Sequence, residues 1–181
     1  MTSRQQTGAW GTGRGECRGT GPVAFRSEIL IKLDKKGRVL LPAAFRDELP
    51  ADDRGAFVLY HSPNLAGVVN GNSRAGFDAM LDRLRAEALG PKGALKVALD
   101  DEAFDPAGYL SASARTIAME PDGRFSLPAE FANVLEVSDG VMLVGKGDKF
   151  QLWNPGRWQA RRDSDRDKMA AFVRALGAGD A

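Results

Sequence analysis

The chain has one cysteine, one histidine, almost no net charge and no long apolar run, and each scarcity removes a class of function. A lone Cys17 cannot close an internal disulfide or supply a thiol-rich metal site, and it fits a reducing cytosol. With His61 as the only histidine, neither a zinc site nor a histidine-based triad has its parts, so no metal ligand and no catalytic residue is assigned. A formal charge of +1 gives no whole-molecule pull toward a polyanion, so any electrostatic case must rest on where the charges sit. No stretch approaches 18 apolar residues, and the first residues lack the apolar centre of a secretory signal, so no membrane association is expected. What is present is a 43% hydrophobic content over 181 residues, enough core for one ordinary domain or two small ones.

Nucleotide loops and acid–base pairs fail in turn. "GTGRG" near the start has no strand before it, and the third glycine position of a dinucleotide loop is Glu16. "GKGDKF" has phenylalanine at that position, and "GNSRAGF" lacks the lysine and hydroxyl of a phosphate loop. Asp100, Asp101 and Glu102 read as solvated surface. No cofactor, small-molecule substrate or enzymatic activity is expected. Residues 1–24 are glycine-rich without periodicity and read as a disordered extension; their composition also fits translation from an upstream start codon.

The informative feature is a repeat. "DKKGR" at Asp34–Arg38 returns as "EPDGR" at Glu120–Arg124, and the offset of 86 residues also pairs Pro42 with Pro128, Phe45 with Phe131 and Leu49 with Leu135. Each copy reads as strand, glycine turn, strand, short helix and a further strand. Ile29, Ile31 and Leu33 alternate with Glu28, Leu30 and Lys32 as a half-buried strand should. Gly37 and Gly123 suit the positive φ of a tight turn, the prolines suit the first helical position, and "AFVLYHS" and "GVMLVGKG" supply later strands, the second running on into "KFQLW". A unit of about 45 residues cannot bury enough apolar surface alone, which favours pseudo-twofold pairing of the copies within the chain.

Residues 25–110 are thus expected to hold the first repeat and a following helix, and 111–181 the second repeat and a terminal helix. "GFDAMLDRLRAEAL" sets Phe77, Met80, Leu81, Leu84 and Ala88 on one helical stripe that should cover a sheet. In the last segment Trp158, Met169, Phe172, Val173 and Leu176 form an apolar side, with a charged middle expected to fray.

Arg38 and Arg124 flank the turns, where guanidinium forks on rigid strand ends suit bidentate contacts to phosphate or to the guanine edge in a major groove. Asp34 and Glu120, four residues earlier, are placed to orient them, although the same pairs could simply staple a hairpin. Charge distribution separates the copies. Arg26, Lys32, Lys35, Lys36, Arg38 and Arg46 face only Glu28 and Asp34 across residues 26–46, a local +4, whereas Arg115 and Arg124 face Glu120, Asp122 and Glu130 across 112–132, a local −1. Clustered cations carry phosphate affinity, so the first copy should dominate nonspecific attraction.

"FRSEILIKLDKKGRVLLPAAFRDEL", the second "DGRFSLPAEF", "VMLVGKGDKFQLW" and Trp158 together resemble the MraZ family of bacterial transcription regulators over about Phe25–Trp158. That resemblance implies an α+β, mainly β, fold: a double swapped-hairpin AbrB-like barrel of two pseudo-twofold repeats with peripheral helices. It further implies a cytoplasmic, nucleoid-associated repressor of the division and cell-wall gene cluster, assembled as a ring-shaped homo-oligomer. Its partner would be double-stranded DNA with G-rich direct repeats, met by Arg38 and Arg124. The family pattern has aspartate in both turns, and Glu120 departs from it. The rival reading is an antitoxin-like protein-binding module on the same hairpin fold.

Overall fold

The computed structural model describes residues 24–100 and 102–178, so the reading of residues 1–24 as a disordered extension lies, apart from Ala24, outside the described residues. Eight strands and five α-helices follow in order: β1 Glu28–Lys32, β2 Arg38–Leu40, α1 Ala43–Arg46, β3 Ala56–His61, β4 Val68–Asn72, α2 Arg74–Leu99, α3 Pro106–Ala112, β5 Arg115–Ala118, β6 Arg124–Ser126, α4 Ala129–Leu135, β7 Gly140–Gly145, β8 Phe150–Trp153 and α5 Pro155–Ala178. The fold is α+β, and every ladder is antiparallel.

Six strands make one sheet in the order β1-β7-β8-β4-β3-β5, and β2 and β6 make a separate two-stranded ladder. The six-stranded sheet is open, with β1 and β5 at its ends, rather than closed into a barrel. Exchanging the copies turns β1 into β5, β7 into β3 and β8 into β4, so the order reads the same from either end. Each edge strand therefore pairs with a strand of the other copy, and β2 pairs with β6 instead of folding back on β1. The local hairpin that the glycine turns lead one to expect is thus corrected: each turn joins two strands that enter different ladders. The reason is burial. Val39 and Phe125, opposite each other in the β2–β6 ladder, are 2% and 1% exposed and close the main core against the sheet.

That core belongs to both copies. Phe25, Phe45 and Phe57 surround Phe150 at ring distances of 5.1, 5.9 and 5.7 Å, and Phe57 meets Phe125 edge-on at 4.9 Å. The paired leucines of the short helices, Leu49 and Leu135, are buried in it with Phe45 and Phe131. Pro42 and Pro128 stand one residue ahead of the first helical turn, in extended backbone.

The opposite face of the sheet is covered at two places. Phe77 and Leu81 of α2, with Leu110 of α3, pack on Val58 and Tyr60; the expected stripe holds as far as Leu84, while Ala88 is exposed. At the other end Trp158 packs on Val144 and Trp153, donates its indole N–H to Glu28 at 2.7 Å, and lets Arg162 pair with the same carboxylate. This anchors only the first turns of α5.

Three further expectations change. "GVMLVGKGDKFQLW" is not one strand: Gly147, at φ 81°, turns the chain so that β7 and β8 form a hairpin. The charged middle of α5 does not fray, since Arg161–Asp165, Asp163–Arg166 and Asp165–Lys168 pairs at helical spacing run along it. The apolar side expected of the terminal helix is split: Trp158 is buried, whereas Met169, Phe172, Val173 and Leu176 are 58–61% exposed. The segment after Leu89 is helical on both sides of Gly90, whose φ of 59° breaks α2, and α3 starts where Asp105 accepts the Ala107 N–H at 3.0 Å.

Candidate nucleic-acid interface

The first turn is organised by one carboxylate. Asp34 Oδ1 accepts the backbone N–H groups of Lys36 and Arg38 at 2.8 and 2.9 Å, and its Oδ2 accepts Arg38 Nε at 2.8 Å. The Asp34 N–H donates to the Arg38 carbonyl at 2.8 Å, and Gly37, at φ 72°, makes the reversal. The Arg38 guanidinium is therefore fixed by a ring of local bonds yet remains 32% exposed. The Arg38 backbone N–H, then its side chain and the Lys36 N–H, hold the Asp34 carboxyl down at about 2, and Asp34 in turn raises the Arg38 pKa.

A depressed carboxyl pKa contributes stability above the unfolded value of 3.8 and loses it as pH falls through about 2. The tether should therefore stay charged from pH 8 down to pH 4. Carbon-detected NMR of the Asp34 carboxyl should show a midpoint near 2; a midpoint at or above 3.8 would mean that the bonds to Arg38 do not form in solution.

The second turn keeps the backbone and changes the tether. The Glu120 N–H donates to the Arg124 carbonyl at 2.7 Å, and Gly123 has φ 94°. Arg124 is held by Asp122, which accepts its backbone N–H at 3.0 Å and its Nη1 at 2.8 Å. The expectation that Glu120 orients Arg124 is corrected on this geometry. A glutamate side chain is one methylene longer than Asp34 and does not fold onto the turn N–H groups, so the aspartate before the glycine takes that role. Glu120 instead points across to the other copy, 3.8 Å from Arg38 Nη1. The signal for Asp122 was its place in "PDG", an aspartate able to bond backbone two residues on.

The β2–β6 ladder sets the two arginines relative to each other. Arg38 lies opposite Ser126 and Leu40 opposite Arg124, so Arg38 and Arg124 are diagonal neighbours on one face while Val39 and Phe125 occupy the buried face. Two residues along and one strand across separates their Cα atoms by roughly 8 Å. Leu41 and Leu127 extend the clamp by donating to the carbonyls of Gly123 and Gly37 at 2.9 and 3.0 Å. The result is a small stiff platform with an arginine fork at each end.

The other expected contacts divide. Lys35 and Lys36 are exposed at the tip of the first turn, and Lys32 is exposed at the end of β1 that leads into it. Arg26 lies six residues before Lys32, about 20 Å along an extended chain, and does not join this cluster. Arg46 leaves the first copy altogether: its side chain lies over Gly123 of the second turn, where an added β-carbon would fall 2.7 Å from Arg46 Cδ. Among the described residues no helix is long and apolar enough to cross a membrane.

An antiparallel α+β domain that presents two tethered arginines on one ladder defines a class of small β-platform proteins suited to an extended anion. Comparison with known proteins makes this more specific. Residues 110–177 match a family model described as "MraZ protein, putative antitoxin-like". A "Transcriptional regulator MraZ" from Azorhizobium caulinodans is 30% identical over 155 residues, covering 86% of this chain and 92% of its own. The protein of the same name from Xanthobacter autotrophicus is 31% identical over 157 residues, with 84% and 91% covered. That from Mesomycoplasma hyopneumoniae is 27% identical over 128 residues, with 70% and 77% covered. The chain belongs to the MraZ family.

Proposed function

We propose that this chain is a sequence-specific DNA-binding transcriptional regulator. The observation that carries the reading is the shared face of the β2–β6 ladder, where Arg38 and Arg124 stand diagonally with their carboxylate tethers. Forks fixed in this way lose little freedom on binding, and guanine O6 and N7 form the matching acceptor pair in the major groove. Lys32, Lys35 and Lys36 around the first turn supply phosphate affinity. The regulator names of the relatives point the same way.

In finer terms, the protein acts as a repressor of the division and cell-wall gene cluster, cytoplasmic and nucleoid-associated, on G-rich direct repeats near its own promoter. Residues 25–110 and 111–181 serve as the two repeats of a double swapped-hairpin, AbrB-like unit; the cross-copy pairing of β1 with β7 and of β2 with β6 supports this. A ring-shaped homo-oligomer gives each weak turn the avidity of linked neighbours on repeated boxes, and the exposed Leu30 and α5 side chains offer apolar surface for self-assembly. The same apolar surface favours the second reading, an antitoxin-like module that binds another protein.

Titration of the purified protein against the region upstream of its own gene, with scrambled duplex as control, separates the two. Salt-sensitive binding at least about a hundredfold tighter to the repeated sequence is expected. Equal affinity for both duplexes rejects the sequence-specific regulator. Light scattering that shows a strict monomer rejects the ring.

A further inference from the structure

The two turns are not electrostatically equivalent, and the first copy corrects the second. In the first turn three cations, Lys35, Lys36 and Arg38, face one acid, Asp34. The second turn has only Arg124, already paired with Asp122 at 2.8 Å, together with Glu120. Taken alone, the second turn would repel a phosphodiester. Yet Arg46 crosses from α1 and lays its guanidinium against Gly123, with Nη1 and Nε 2.8 and 2.9 Å from where a β-carbon there would stand. Its Nε is fully buried and has no hydrogen-bond partner among the described residues.

The buried Nε cannot itself meet an outside acceptor, but the two Nη groups make no hydrogen bond to a described residue and are not buried, so they are the donors left for a ligand in the cleft that Arg46 lines. Arg46 lines a 370 Å³ cavity with Arg54, Met119 and Pro121, next to the carboxylates of Asp47 and Glu120. Glu120 is turned toward Arg38, and no described carboxylate lies within 4.0 Å of the Arg46 or Arg54 nitrogens. The feature has no counterpart at the first turn. The 86-residue offset puts Ala132 where Arg46 stands and Gly140 where Arg54 stands, and a β-carbon at Gly37 would meet nothing within 4 Å.

We propose that Arg46 and Arg54 form a phosphate-binding site that serves the second turn, receiving a backbone phosphate of the DNA held by Arg124. This rests on the DNA-binding reading above. The lysines of one turn and the cross-copy arginines of the other thus do the same work by different routes, and both ends of the platform become attractive to a polyanion.

The test measures duplex affinity over a range of salt for wild type, Arg46→Gln, Arg46→Lys and Arg54→Gln, with circular dichroism melts of each. Arg46→Gln should weaken binding roughly three- to tenfold on cognate and scrambled duplex alike, and lower the slope of log K on log salt by about 0.9, the mark of one lost phosphate. Arg46→Lys should restore the slope. Arg54→Gln, at an exposed residue that cannot unfold the protein, should lower it as well. Wild-type slopes in both Gln variants would overturn the proposal while the DNA reading stands. No salt-dependent binding by wild type would overturn that reading and this one with it. If inorganic phosphate raises the wild-type melting temperature but not that of Arg46→Gln, and the DNA slopes stay equal, the site holds free anion and the DNA assignment fails.

Discussion

Arg38→Ala should reduce affinity for the repeated G-rich duplex by about tenfold to a hundredfold per turn engaged, while affinity for scrambled DNA falls far less. The magnitude follows from a bidentate fork on guanine, which contributes about 1–3 kcal/mol of discrimination. Arg38 has the geometry for it: Nε is committed to Asp34 at 2.8 Å, which leaves the outer edge of the guanidinium for a ligand, and the strand beneath is clamped into the core by Val39. Arg38→Lys keeps the charge and loses the fork, so it should retain the salt dependence and lose the preference for the repeat. Asp34→Ala keeps the fork and frees its direction, and should fall between the two. The Arg38 side chain is on the surface, so the fold should survive both Arg38 changes, while Asp34→Ala removes three hydrogen bonds of an exposed turn and should lower the melting temperature modestly. Unchanged affinity in both Arg38→Ala and Arg124→Ala would remove the turns from the DNA interface.

The parts of this site visible in the sequence are those set by local rules. A glycine with positive φ between an acid and an arginine writes its own turn, and two copies 86 residues apart announce a pair. What the sequence hid depends on partners far along the chain. The pairing of β2 with β6 is invisible to local reasoning, because a tight turn between two apolar strands ordinarily means a hairpin. β4, "VVNGN", receives no element from the sequence because Asn-Gly is turn chemistry, yet all five of its residues are buried: Asn70 accepts a hydrogen bond from Gln151 at 3.0 Å, and Gly71 makes room for the Phe150 ring. Arg46 belongs to the first copy by number and to the second by position. Glu120 was aligned with Asp34 correctly, but one methylene sends its carboxylate to the other copy's arginine.

Phe150→Ala should be the most damaging single change in the core, costing about 3–5 kcal/mol. The ring is fully buried and touches three phenylalanines of the first copy, and it fills the space over Gly71, where a β-carbon would fall 2.1 Å from its Cε2. A smaller side chain leaves a cavity that neither sheet nor ladder can close, since β4 and β8 are locked in register directly beneath it. At roughly 2–4 °C per kcal/mol for a domain of this size, the melting temperature should fall by about 6–20 °C. The loss should also be shared. Because Phe25, Phe45 and Phe57 come from one copy and Phe125 and Phe150 from the other, neither copy closes the main core by itself. In a Trp10→Phe background, where only Trp153 and Trp158 of the second copy fluoresce, urea unfolding followed by fluorescence should coincide with unfolding followed by far-ultraviolet circular dichroism, with and without Phe150→Ala. A cost under about 1 kcal/mol, or two transitions that part when Phe150 is removed, would mean that the copies fold as separate units and that the β2–β6 platform does not depend on a common interior.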